Sequence, residues 1–329
     1  MKLFSKQQRL ASQLRAHFQW VWQGLGIALP RPVLRFDGVP DFPYDCLIQR
    51  QGDVYSLQYG TPDPEHHTRV DSYLYWMTLC PPAVASLLVD ISDGDKASRA
   101  DFAMSAWRPD VTLLPDTYFF RWRGFRYYRE LSEDKPVPWD ERSDVLRWRG
   151  TTTGHGRFDR LTPDAANDPE VMPRIRVALM LRHEPRCDVG ISASDRGPEL
   201  RRELIAHGLL RAFIEEASWI GDKYALDIDG NSNAWSNFLA RLHLGCCVLK
   251  VESPLGYRQW YYDRLRPWEH FVPVKSDLSD LIEKIDWARS NDARAREIAA
   301  AGQAFARTMT LETETAVAVN AILDAKARS

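Results

Sequence analysis

Two short runs of small, polar and charged residues carry the chemistry available to this chain. The first is Asp227-Ile228-Asp229-Gly230-Asn231-Ser232-Asn233-Ala234-Trp235-Ser236. Gly and Asn tolerate positive φ, so the chain can turn sharply there before a helical pattern begins at Trp235. A strand that enters a helix through such a turn leaves backbone N–H groups at the helix N-terminus. Together with the helix dipole they favour an anion, phosphate above all. The second run is Thr151-Thr152-Thr153-Gly154-His155-Gly156-Arg157. Its hydroxyls, glycines and arginine suit an anion, because a guanidinium can hold phosphate oxygens bidentately. A third group, Asp90, Asp93 and Asp95, follows the apolar run 84–91. An acid just past the C-terminal end of such a strand lies where open α/β sheets keep their ligands. The same acids also suit the capping of a following helix.

Asp227 and Asp229 form a D-x-D pair, which can hold a divalent cation and a diphosphate, although so short a pattern also arises by chance. A calcium loop is excluded, because Gly230 comes too early and Phe238 stands where the bidentate Glu belongs. His66, His67, His183 and Cys187 lack the spacing of a zinc site. No G-x-G-x-x-G follows a strand, which leaves the dinucleotide fingerprint unmatched.

The elements that must position these runs follow from periodicity. Tyr224, Leu226 and Ile228 alternate with Ala225, Asp227 and Asp229, the period of a strand. Trp235, Phe238, Leu239, Leu242 and Leu244 recur near helical spacing, and 246–251 reads as the next parallel strand. A strand over 146–150 leads into Thr151. Earlier, 44–59 reads as a hairpin, 70–79 as a helix and 111–120 as a strand–loop piece. Pro136 and Pro138 suggest a linker over 122–144. Helices are expected within 170–181 and 197–217 and a short strand within 268–274. Further helices follow over 277–289 with Ser276 as N-cap, over 293–307, and from about 311 to 325.

At 329 residues, with 44% hydrophobic and 27% charged residues, the chain reads as a soluble protein of two domains. A net charge of −2 implies no nucleic-acid partner. Five cysteines without a C-x-x-C pair fit a reducing compartment. The N-terminus does not read as a secretory signal and no apolar run reaches membrane-spanning length, so a cytoplasmic location is expected. Residues 1–36 contain Lys2, Lys6, Arg9, Arg15, Arg31 and Arg35 and no acid. Leu3, Leu10, Leu14, Phe18, Val21 and Leu25 mark one face of a helix over 3–25, with Trp20 and Trp22 close by. Such a helix suits a membrane-surface contact through residues 1–25, or packing on its own domain.

Several segments together resemble glycosyltransferase family 90: Lys223-Tyr224, Asp229-Gly230-Asn231, Trp235-Ser236, and the run LRPWEHFVPVKSDLSDL with its SNDARAREIAAAGQAF tail. WRGTTTGHGR is similar to the family's donor loop, with Thr151 and Arg157 at its Ser and Arg positions. LLVDISD is similar to the strand that ends in the family's catalytic acid, which falls on Asp93. The likeness spans most of residues 44–310. It departs where relatives carry Arg shortly after the Trp-Ser pair; Ser236-Asn237 stand there, and the next arginine is Arg241.

The resemblance implies an α/β fold of the GT-B type, with two facing Rossmann-like domains and a donor cleft between them. On this reading residues 1–138 form the acceptor and base domain and 139–307 the nucleotide-sugar domain. The helix 308–329 can cross back to the first. It implies an inverting transfer of a sugar from a UDP-sugar co-substrate to a hydroxyl of a glycan acceptor, such as lipopolysaccharide or another lipid-linked glycan. No metal or other cofactor is implied. The enzyme would be cytoplasmic, or peripheral on the inner face of the membrane. Asp93 is the expected catalytic base. Thr151, Arg157, Gly230, Asn231, Ser232, Asn233, Ala234, Trp235 and Ser236 are the expected donor-binding residues. Two other readings stay open: a non-catalytic nucleotide- or carbohydrate-binding protein, and a metal-dependent transferase using Asp227 and Asp229.

Overall fold

A computed structural model describes residues 6–36, 44–60, 64–94, 98–158, 161–162, 164–193 and 197–328. Residues 1–5 and Asp95 lie outside the described residues. The chain divides into two compact units. One comprises 1–124, 257–262 and 310–329, and the other 125–256 and 263–309. The division falls before the sequence-based boundary at 138, and residues 257–262, expected in the second domain, belong to the first.

The first unit contains α1 (Lys6–Leu25), β1 (Val33–Arg35), β2 (Asp45–Gln51), β3 (Val54–Tyr59), α2 (Pro64–His67), α3 (Val70–Leu79), β4 (Ser86–Asp90), β5 (Phe102–Ala103), β6 (Thr112–Leu113) and α4 (Thr117–Arg121). Its sheet runs β1-β3-β2-β4-β5-β6. The expected hairpin is the antiparallel β2–β3 pair, and β4, β5 and β6 run parallel. The apolar face of α1 is buried through Leu10, Leu14, Phe18, Val21 and Trp22. That face is therefore not available to a bilayer, which corrects the surface-helix reading of residues 1–25 in so far as it relied on the apolar stripe. A buried acid anchors the helix. Asp71 lies 3.1 Å from His17 Nε2 and accepts from Arg121 Nε at 2.7 Å and from the Thr117 hydroxyl at 2.9 Å.

The second unit holds α5 (Arg126–Asp134), β7 (Ser143–Thr151), α6 (Pro173–Leu181), β8 (Cys187–Ala193), α7 (Pro198–Ala206), β9 (Asp222–Asp227), α8 (Ser236–His243), β10 (Cys247–Val251), β11 (Val272–Val274), α9 (Leu281–Ser290) and α10 (Asp292–Thr308); α11 (Leu311–Arg328) returns to the first unit. Three expectations change here. The segment read as a linker folds into α5. The helix expected from 277 begins at Leu281, so Ser276 does not cap it and Asp280 stands at the N-cap position. The piece over 111–120 splits into β6 and α4, because Asp116 accepts from the Phe119 N–H and starts a helix there.

The sheet of this unit is entirely parallel in the order β11-β10-β9-β7-β8. Numbered within the unit, that is the doubly wound order 2-1-3-4-5. The chain winds outward in both directions from the adjacent pair β7 and β9. Strand β9 is the middle strand and every one of its residues is buried, as expected for a strand covered on both faces. Burying Leu226 and Leu249 fully stabilises by about 1.5–3 kcal/mol each. The charges in β9 are paired, since a buried charge without a partner is costly. Asp222 pairs with Arg147 at 2.8 Å and Asp227 with Lys250 at 2.8 Å. Lys223 reaches Asp144 at 2.8 Å and Asp292 at 3.2 Å, and the Tyr224 hydroxyl donates to Asp292 at 3.0 Å. The Lys223-Tyr224 pair thus ties the middle strand to the start of α10.

Candidate functional site

In a doubly wound sheet, ligands bind beyond the carboxyl ends of the strands at the point where the winding reverses. Here that point lies between β7 and β9. The loop leaving β7 is Thr151–Arg157 and the turn leaving β9 is 228–235, the two runs that composition alone marked as anion-friendly.

They are joined by specific bonds. The Gly154 N–H donates to the Asn231 side-chain oxygen at 3.0 Å, and His155 Nε2 donates to the Asn231 carbonyl at 2.6 Å. Arg174, near the start of α6, stitches the other side. Its guanidinium donates to the Asp229 carbonyl at 2.9 Å, the Ile228 carbonyl at 3.2 Å and the Thr153 hydroxyl at 2.7 Å. Gly230 is required by this approach, since a Cβ there would lie 2.9 Å from both Arg174 Nη2 and Thr153 Oγ1. The Thr151 and Thr153 hydroxyls are 3.2 Å apart.

The turn ends at Trp235, whose φ of 36° and ψ of −107° is unusual for a bulky residue. Strained backbone of this kind costs on the order of 1–3 kcal/mol and clusters at functional sites. No side chain caps α8, and its first turn carries no acid, so its N-terminal dipole is uncompensated from within the first turn. Ser232, Asn233 and Ala234 are buried, whereas Ser236 at the start of α8 is half-buried.

The expected role of Arg157 looks different in the fold, and Arg241 does not fill the missing arginine position. Arg157 is ion-paired with Asp168, and its backbone pairs with Val171. Arg241, the next arginine after the Trp-Ser pair, is fully enclosed and lies 3.7 Å from Asp227. Arg174 is the arginine at the turn, and sequence reasoning missed it. Its position in a helix pattern gave no signal, although a buried arginine must find partners.

The D-x-D pair does not form an open ligand set. The Asp227 carboxylate is enclosed and held by Lys250 and Arg241. The Asp229 carboxyl is pushed up by burial, with the charge of Lys250 opposing. No group of three or more His, Cys, Asp or Glu among the described residues could hold a metal ion. The thiols are poor nucleophiles: burial pushes Cys80 up to about 11 and Cys187 and Cys246 up to about 12.

In the first unit, the loop beyond β4 carries Asp93, half-buried. Asp90 is committed to the turn itself, accepting from the Ser92 N–H at 2.7 Å, while its carbonyl accepts from the Tyr73 hydroxyl at 2.9 Å. The Tyr257 hydroxyl donates to the Gly94 carbonyl at 2.5 Å. Tyr257 belongs to the short return 257–262, which is secured by Gln259 donating to Asp116 at 3.1 Å and by the Trp260 indole donating to Glu314 at 2.7 Å.

A doubly wound α/β unit with polar loops clasped at its switch point defines a class of nucleotide- and phosphate-binding folds. Within that class the family is specific. The model of glycosyl transferase family 90 matches residues 100–317, and the chain belongs to that family. Protein 179R of invertebrate iridescent virus 6, which is uncharacterized, is 44% identical over 199 residues, covering 55% of this chain and 16% of that protein. Protein O-glucosyltransferase 3 of Rattus norvegicus is 38% identical over 138 residues, covering 41% of this chain and 26% of that protein. The alignments thus span only about a quarter or less of these relatives. Among solved structures, Anabaena HepE in complex with UDP-glucose is similar with a TM-score of 0.35 at 12% identity, over 62% of this chain and 53% of that one. The GtfA/B complex is similar with a TM-score of 0.37 at 12% identity, over 69% and 46%. No helix among the described residues is long and apolar enough to cross a membrane.

Proposed function

We propose that this chain transfers a sugar, with inversion at C1, from a UDP-sugar to a hydroxyl of a lipid-linked or other cell-surface glycan at the cytoplasmic face of a membrane. The observation that carries the reading is the convergence of Thr151–Arg157 and 228–235 at the switch point of the second unit. Membership of glycosyl transferase family 90 supports the reaction class. The similarity to a protein O-glucosyltransferase makes glucose the first sugar to test.

In this mechanism the diphosphate sits against the uncapped N-terminus of α8 and the hydroxyls of Thr151 and Ser236. As the bond to C1 breaks, negative charge grows on the leaving diphosphate. Fixed N–H dipoles aimed there stabilise that charge without reorganising. Arg174 holds the turn in shape. Arg157 joins the phosphates by exchanging its Asp168 partner. Asp93 accepts the proton of the attacking hydroxyl as general base. No step needs a metal held by Asp227 and Asp229, since Lys250 already pairs with Asp227.

The test pairs binding with turnover. Asp93→Asn leaves UDP affinity unchanged in calorimetry and lowers turnover by about 100-fold or more, the scale of a lost general base. Equal turnover in that variant removes Asp93 from the role. UDP binding without transfer from any of a panel of UDP-sugars, across a broad acceptor panel, supports the non-catalytic reading instead.

A further inference from the structure

The first unit contains a cavity of about 400 Å³ against α1, within the range of small-ligand sites, roughly 300–1,000 Å³. It is built by the way α1 ends. Gly26 takes φ +66°, the Gly26 N–H donates to the Gln23 carbonyl at 3.1 Å, and the Ile27 N–H donates to the Trp22 carbonyl at 3.0 Å. These are the two bonds of a Schellman stop. They reverse the chain, so that the segment after the helix runs back beside it. Phe18 and Trp22, stacked with centroids 5.3 Å apart, line the cavity from the helix, and Ile27 and Leu29 from the returning segment.

Arg15 and Arg31 also line it, both exposed. Neither guanidinium makes an ion pair among the described residues. No acid occurs anywhere in residues 1–36. A cavity with an apolar part, polar side chains from Ser12, Gln19 and Gln23, and two such arginines matches a ligand with a hydrocarbon tail and an anionic head. The apolar stripe of α1 is already buried, so the helix cannot lie down in a bilayer on that face. The tail must instead come to the protein.

We infer that this cavity binds a single anionic lipid molecule, with its hydrocarbon chain along Ile27, Ala28 and Leu29 and its phosphate between Arg15 and Arg31. The site deepens the acceptor reading, from which it takes only the lipid-linked character. Its test uses neither donor nor acceptor.

The probe is dodecyl phosphate, titrated by calorimetry below the concentration at which it forms micelles. Saturable one-to-one binding is expected. It should weaken at least tenfold in the variant combining Arg15→Gln with Arg31→Gln, and be lost in Ala28→Trp, which fills the cavity from its lining. Dodecyl maltoside, with the same tail and no charge, should bind at least tenfold more weakly, and inorganic phosphate should not saturate. Circular dichroism and melting temperature check that the variants are folded. Equal binding of dodecyl maltoside, equal binding of inorganic phosphate, or wild-type affinity in the double variant each overturns the assignment. UDP titrated into the same samples reports on the sugar-donor reading separately, so either can fail alone.

Discussion

The side chain of Asn231 and the backbone of Gly154 meet at 3.0 Å, and this bond joins two loops that lie 77 residues apart in the chain. A carboxamide at 231 supplies the acceptor that the Gly154 N–H needs, while the Asn231 carbonyl receives His155. Each loop alone is a polar turn. Clasped together they form one bonded unit at the switch point.

Asn231→Ala removes that acceptor from the Gly154 N–H. A net hydrogen bond of this kind contributes about 0.5–1.5 kcal/mol, so UDP affinity should fall by roughly two- to tenfold if the loop must be ordered to bind. Calorimetry with UDP checks this. Unaltered affinity would show that the clasp is irrelevant to the ligand.

Arg174→Ala strips the Ile228 and Asp229 carbonyls of their donor. Buried acceptors left unmet cost about 1–3 kcal/mol, so a fall of that size in chemical unfolding is expected. Arg174→Lys should recover part of it, because an ammonium reaches one carbonyl but cannot span the set. Gly230→Ala forces the same guanidinium and Thr153 aside and should destabilise by about 1–3 kcal/mol. An Arg174→Ala protein as stable as wild type would contradict the stitching role.

Tyr257→Phe deletes the hydroxyl that holds the Gly94 carbonyl next to Asp93. Under the proposed chemistry Tyr257 is a positioning residue. Turnover should fall several-fold with UDP affinity unchanged, and the apparent pKa of the base in the pH–rate profile should move. A stability loss with an unshifted profile would reduce Tyr257 to packing.

Stability should depend on pH through His243, which is fully buried. Burial, then the nearby charges of Arg129 and Arg307, lower its pKa from 6.5 to about 3. Between those values the unfolded chain takes up a proton that the folded chain does not. Stability therefore falls as pH drops from about 6.5 toward 3, by on the order of 1 kcal/mol per pH unit. Asp116 and Asp222, each raised from 3.8 to about 6 by burial, act the opposite way. Their contribution is complete below about pH 4 and lost as pH rises through about 6. The His243 component is isolated by His243→Phe: the gap between wild-type and variant melting temperatures should change steadily between pH 7 and 4. Parallel curves would refute it.

Much of this protein was legible before folding. Period-two alternation marked β9, small residues marked the turn after it, and apolar spacing marked α8, because local backbone preference and burial leave their imprint within a dozen residues. The segment 257–262 was not legible, since its membership of the first unit depends on what Tyr257, Gln259 and Trp260 find there. Arg174 was hidden for the same reason: a helical arginine shows nothing of its partners until the strands are ordered. By itself, the sequence determined the strand–turn–helix of the second unit and which loops carry anion-binding groups, whereas α4 and α5 were read as loop and linker. Only the tertiary structure decided that Thr151–Arg157 and 228–235 face one another. That depends on β7 pairing with β9 in the middle of a parallel sheet, a long-range pairing that no local pattern encodes. The same packing tied Arg157 to Asp168, enclosed Arg241 and Asp227, and set Arg174 across the turn. Buried charges must be paired, and the pairing is settled by what the fold brings within reach.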